Sequence, residues 1–185
     1  MRITGGKLGR RPLRSPPSDK TRPTTDRVRE ALFSALGSRM DLVGARVLDL
    51  FAGTGALGLE AISRGAAHAT FVEQHGPTLS LARRNARDLG VADRCAFIRA
   101  DALAHSARLG TEAGTPGRFD LVLADPPYAL PEMESLPDAL RPLLAPDGLL
   151  VLEHDARHDF SGHPACVFAR DYGSTTRVSI FEAEV

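Results

Sequence analysis

The chain has 185 residues, no formal net charge, 43% hydrophobic and 25% charged residues, with a mass of 19.8 kDa and a mean hydropathy of -0.13. These values fit one soluble globular domain with a short extension and exclude a disordered or collagen-like chain, and no second full domain is expected. No apolar run approaches the ~18 residues of a membrane span and no apolar h-region opens the chain, so a cytoplasmic protein is expected. Cys95 and Cys166 stand far apart, which suits reduced core thiols rather than a metal site or a disulfide framework.

The neutral total averages two unlike regions. Residues 1–30 hold nine Lys/Arg against three acids, a balance of +6, and the remainder carries -6. A basic extension on an acidic body is the asymmetry expected of a segment that touches phosphate, and arginine, which dominates here, grips phosphate with a planar fork. Residues 1–23, rich in Gly and Pro, read as an extended basic arm ordered by docking, ahead of a domain over 24–185. Thr24, Thr25 and Asp26 offer N-caps for an amphipathic helix carrying Val28, Leu32, Phe33 and Leu36 and stopped by Gly37.

Strands and helices then alternate. Strands are predicted at Arg46 to Leu50, Ala69 to Val72, Cys95 to Arg99, Leu121 to Ala124 and Leu149 to Glu153. Helices are predicted at Leu59 to Ser63, Thr78 to Leu89, Ala102 to Leu109 and Leu136 to Leu144. Val167 to Tyr172 and Val178 to Glu182, joined through Gly173-Ser174-Thr175, read as a β-hairpin. The fold class is therefore α/β, a mostly parallel seven-stranded sheet with a C-terminal antiparallel hairpin and helices on both faces. Leu109 to Arg118 reads as a polar insertion.

Three acids and a glycine loop gather at the predicted carboxyl ends of the strands. Gly53-Thr54-Gly55-Ala56-Leu57-Gly58 places G-x-G-x-x-G between a strand and a helix, where glycine lets the backbone turn tightly and approach a ligand. Glu73, 20 residues beyond Gly53, can accept both hydroxyls of a ribose. Both features suit any adenosine-type cofactor, nicotinamide dinucleotide or S-adenosylmethionine. Asp49 separates these, since its carboxylate would repel a pyrophosphate but accepts an ammonium. Asp101 can accept a proton from an adenine amine, a role compatible with capping the following helix.

A second motif, Asp125-Pro126-Pro127-Tyr128, follows the fourth predicted strand. Two prolines stiffen the loop and remove two N–H donors, leaving a carboxylate and carbonyls. Such an acceptor-only pocket suits an exocyclic base amine, on which Tyr128 would stack. His154, Asp155, His158, Asp159, His163 and Cys166 match no common metal spacing and are expected in a solvated polar loop, with no metal bound.

With these motifs in place the chain resembles the class I S-adenosylmethionine-dependent methyltransferases that carry an N/D-P-P-Y/F motif, which implies a Rossmann-like fold. Residues 2–7 (Arg-Ile-Thr-Gly-Gly-Lys), Arg22 to Phe33 and Asp49 to Ala61 resemble, more closely, the bacterial 16S rRNA (guanine-N2)-methyltransferases of the RsmD type. The resemblance covers essentially the whole chain. It implies methyl transfer from S-adenosylmethionine to the exocyclic N2 of a guanine in small-subunit rRNA, on an assembled or partly assembled particle, with ribosomal proteins as possible helpers and a monomeric enzyme. It implies that Asp49, Ala52, Gly53, Thr54 and Gly55 hold the methionine end, Glu73 the ribose, and Asp101 with Ala102 the adenine. Asp125, Pro126, Pro127 and Tyr128 would hold the target base, and Lys7, Arg10, Arg11, Arg22, Thr24 and Arg27 the RNA. Three rivals stand beside this reading: an adenine-N6 methyltransferase on DNA or RNA, an NAD-dependent oxidoreductase, and a non-catalytic RNA-binding assembly factor.

Overall fold

A computed structural model describes residues 1–16, 26–111 and 119–184. Arg22, Thr24, Thr25 and most of the predicted polar insertion lie outside them. In chain order the described elements are α1 (Asp26–Gly37), β1 (Arg46–Leu50), α2 (Ala56–Ser63), β2 (His68–Val72), α3 (Gly76–Leu89) and β3 (Cys95–Ile98). They continue with α4 (Ala102–Thr111), β4 (Phe119–Ala124), α5 (Leu136–Leu140), β5 (Leu144–Asp155), β6 (Cys166–Tyr172) and β7 (Thr176–Glu182). None of the described helices is long and apolar enough to cross a membrane.

The strands form a single seven-stranded sheet in the order β3-β2-β1-β4-β5-β7-β6. The first five run parallel, as the alternation predicted, and β7 pairs antiparallel with both β5 and β6. The hairpin thus lies at one edge, but its second strand inserts beside β5 and its first becomes the rim.

Side-chain alternation sorts the core into two layers. Val47, Leu121, Leu123, Leu149 and Val151 point to one face with Leu32, Phe33 and Leu36 of α1, Leu59 and Ile62 of α2, and Leu79 and Leu89 of α3. Leu48, Leu50, Val122, Ala124, Leu150 and Leu152 point to the other, with Leu136 and Leu140 of α5. Burial on both faces explains why these strands read as apolar runs rather than alternating ones.

Several boundaries differ from the sequence reading. The predicted helix Leu136 to Leu144 stops at Leu140 and tightens into a 3-10 turn over Arg141–Leu143, because Pro142 has no N–H to give. β5 is longer than expected, running through a register shift opposite Phe119 and Leu121. It ends at Asp155, so His154 is not in a solvated loop. His154 is fully buried, its Nε2 paired with Ser179 Oγ at 2.9 Å and its Nδ1 with the Asp155 carbonyl at 2.9 Å. Burial holds this imidazole below the usual histidine range.

The described N-terminal residues are folded rather than extended. Ile3 N–H donates to Arg11 O at 2.9 Å, Arg10 N–H to Ile3 O at 2.8 Å and Leu13 N–H to Met1 O at 3.0 Å. This closes residues 1–13 into a loop that inserts Ile3 and Leu13 into the core layer shared with α1, α2 and α3. The docking expected of the arm is onto its own chain.

Candidate active site

The site is set by strand register. Leu50 lies opposite Val72 on one side and Ala124 on the other, so Phe51, Glu73 and Asp125 leave the sheet at one level. Backbone bonds from Ala52 N to Val72 O (3.0 Å) and from Glu73 N to Ile98 O (3.1 Å) extend that order past the strand ends. This carboxyl edge is where open α/β sheets bind ligands.

The loop after β1 takes three left-handed residues, Phe51 (φ 58°), Gly53 (φ 53°) and Gly55 (φ 80°). For Phe51 that conformation is strained, a cost that tertiary contacts must offset. A side chain at Gly53 would enter open space, with only Phe51 O within 4 Å, at 3.9 Å. At Gly58 the need is different: a Cβ there would sit 2.4 Å from the Phe71 ring and 3.0 Å from Asp49 Oδ2. The absence of a side chain lets α2 lie close against β1 and β2.

Asp49 lies under this loop, 1% exposed, accepting the Gly58 N–H at 2.9 Å. Burial pushes its carboxyl up to about 7; the Gly58 bond opposes that and nearby Glu73 adds to it. Half-buried Glu73 accepts Gly53 N–H through Oε2 (3.0 Å) and His75 N–H through Oε1 (2.7 Å), tying the ends of β1 and β2. Asp101 is exposed and caps α4, accepting Ala104 N–H at 2.9 Å, while Ala102 is buried in the core layer below. Ala52 is buried and Thr54 half-buried.

Asp125 is half-buried, Pro126 buried and Pro127 exposed. Leu130 N–H donates to Pro127 O at 2.9 Å, closing a turn behind the motif. The Tyr128 hydroxyl pairs with Thr176 Oγ1 at 2.7 Å, so the ring is tethered to β7 rather than free to swing.

The basic residues divide. Lys7, Arg10 and Arg27 are exposed. Arg11 bonds the carbonyls of Asp88 and Leu89 at the end of α3, and Arg14 pairs with the Asp88 carboxylate at 2.7 Å. Arg29, one of the nine N-terminal cations, is fully buried between Asp26 and Glu60. Part of the positive charge read from the sequence is therefore consumed inside the fold.

The profile of the family described as conserved hypothetical protein 95 matches residues 1–181. Ribosomal RNA small subunit methyltransferase D of Escherichia coli K12 is 36% identical over 167 residues, covering 89% of this chain and 80% of that protein. The chain belongs to this methyltransferase family. A hypothetical protein of Thermus thermophilus superimposes with a TM-score of 0.80 at 30% identity, over 100% of this chain and 99% of that one. A SAM-dependent methyltransferase from Agrobacterium tumefaciens shares the fold, with a TM-score of 0.66 at 22% identity, over 89% of this chain and 63% of that one.

Two anchors of this family member escape the motif reading. Glu60, fully buried in α2, accepts Thr4 N–H, Thr4 Oγ1–H and Gly5 N–H, each at 2.8 Å, and pairs with Arg64 at 2.9 Å and Arg29 at 3.4 Å. Asn85, 1% exposed in α3, accepts Arg14 N–H at 2.8 Å and donates to Thr54 O at 3.0 Å. It joins the N-terminal segment to the glycine loop. A signal was present for Asn85, a polar residue on the face that carries Leu79, Ala82, Ala86 and Leu89, but not for Glu60, whose neighbours one turn on are the polar Ser63 and Arg64.

Proposed function

We propose that the protein transfers a methyl group from S-adenosylmethionine to the exocyclic N2 of a guanine in small-subunit (16S) rRNA, acting in the cytoplasm as a monomer on an assembled or partly assembled particle. The observation that carries this is the shared level of two dissimilar half-sites, the glycine loop with Glu73 and the Asp125 to Tyr128 turn, on adjoining strand ends. One suits an adenosine-type group and the other an amine. The rRNA methyltransferase name of the E. coli relative supports the substrate class, and guanine follows from the family resemblance.

The residues present fit the cofactor. The open space before Gly53 leaves room for close approach, and each Glu73 oxygen keeps a lone pair beyond its one amide bond for a ribose hydroxyl. Asp49, buried near neutrality, gains a favourable partner when an ammonium arrives. When bound, the cofactor supplies an already activated sulfonium methyl.

The chain's own residues then orient rather than activate by charge. Asp125 and the carbonyls of the turn accept the protons of an amine whose lone pair is conjugated into its ring, favouring the pyramidal form that can attack. Asp125 or water takes the proton lost afterwards. The tether of Tyr128 to Thr176 holds a ring in place for stacking without the entropy cost of fixing it anew. Exposed Lys7, Arg10 and Arg27 suit phosphate contact, and Arg22 and Thr24 complete that reading outside the described residues.

The deciding experiment is methyl transfer from labelled S-adenosylmethionine to small subunits lacking the modification, beside naked rRNA and DNA, with nucleoside chromatography. N2-methylguanosine from subunits is expected. N6-methyladenosine would overturn the base assignment, and cofactor binding with no label on any substrate would favour an assembly factor.

A further inference from the structure

Glu153 is a buried carboxylate that the reading above leaves unused, 6% exposed at the carboxyl end of β5. Ala124 pairs with Leu152, so Asp125 and Glu153 are the next residues on adjacent parallel strands, whose axes lie ~5 Å apart. They also share a face. Leu121, Leu123, Leu149 and Val151, of the same parity as Asp125 and Glu153, all pack into the core layer beneath α1, α2 and α3.

A second observation puts Glu153 under the base site. Tyr128 leaves β4 and reaches Thr176 on β7, and in the sheet order β5 lies between those two strands. The tyrosine therefore crosses the end of β5. Glu153 pairs with Val178, and Thr176 lies two residues along β7 on that same face. Asp125, Glu153 and Tyr128 thus border one patch of the sheet edge.

We infer that Glu153 is a specificity-determining residue that accepts the N1–H of the target base and so selects guanine over adenine. This deepens the functional reading above and rests on it. Guanine presents two adjacent donors, its 2-amino group and N1–H. Adenine presents its amine beside an unprotonated N1, whose lone pair would face the second carboxylate. One acceptor accommodates either amine, whereas two side by side require the guanine edge. Glu153 also makes contact within the protein, and its two oxygens have lone pairs enough for both.

The test compares kcat/KM on small subunits reconstituted with rRNA carrying guanine or 2-aminopurine at the methylated position, for the wild type and Glu153→Gln. 2-Aminopurine keeps the amine but has no N1–H. The wild type should prefer guanine by at least ~100-fold, the scale on which a buried polar site rejects an analogue lacking its partner. Glu153→Gln, whose amide can donate to N1, should shift that ratio toward 2-aminopurine by at least ~10-fold, a change in preference that mere loosening of the fold would not give. Equal loss on both substrates overturns the inference. So does a wild type that uses 2-aminopurine as well as guanine, a result independent of whether the variant folds. If the wild-type product is not N2-methylguanosine, the functional reading fails and this one with it, whereas N2-methylguanosine with an unmoved ratio overturns this one alone.

Discussion

The loop after β1 and the N-terminal segment both end on α2, the first at its opening turn and the second at Glu60, yet they are held by different chemistry. The segment is fixed by a buried carboxylate that is fully engaged, with three hydrogen bonds from Thr4 and Gly5 and ion pairs to Arg29 and Arg64. The loop is fixed by carboxylates that are only partly engaged, one amide for Asp49 and one for each oxygen of Glu73, and by a strained Phe51. A saturated acid builds structure. An unsaturated one at a strand end retains capacity for a ligand.

Breaking each anchor should separate the two. Glu60→Ala takes from fully buried Arg29 one of its two carboxylates, leaving Asp26, and leaves the Thr4 and Gly5 amides without their acceptor, so it should destabilise the protein by about 3–5 kcal/mol in urea unfolding. A loss under about 1 kcal/mol would mean that the segment is not held by this carboxylate. Asp125→Ala should leave cofactor affinity nearly intact while lowering turnover at least ~100-fold, the scale of one transition-state hydrogen-bond partner. Unchanged turnover would remove Asp125 from the chemistry.

The gentlest probe is pH. Because Asp49 titrates near 7 when folded and near its ordinary value of 3.8 when unfolded, the native state keeps a proton that the unfolded chain has released across that interval. Stability from this group is fully present below the unfolded value and is lost as pH rises toward about 7, with no further change above. Asp49→Asn should flatten that slope and make the protein more stable at about pH 8, while weakening S-adenosylmethionine binding in calorimetry. A variant equally tight for the cofactor would make Asp49 a purely structural residue.

The parallel sheet was readable because its strands are apolar on both faces and separated by helical spacing, and the glycine loop because G-x-G-x-x-G follows such a run. Asp49, Glu73 and Asp125 stood out as candidates for the same reason, since each lies at or just beyond the carboxyl end of a strand and strand ends mark the ligand edge of open α/β sheets. The N-terminal segment was not. Gly, Pro and Arg give no period, and Ile3 and Leu13 are single apolar residues whose burial depends on surfaces supplied by α1, α2 and α3. His154 was misread because a polar residue at the end of an apolar run looks solvated until β7 brings Ser179 against it.

The sequence by itself determined the alternation of strands and helices, the glycine loop and the identity of the acids, because these are local matters of periodicity, backbone freedom and side-chain chemistry. Only the tertiary structure decided which arginines are consumed by internal partners, which strand lies beside β5, and that Glu153 stands next to Asp125. Those facts depend on contacts between residues distant along the chain, and a pattern of neighbours in sequence carries no measure of such distances.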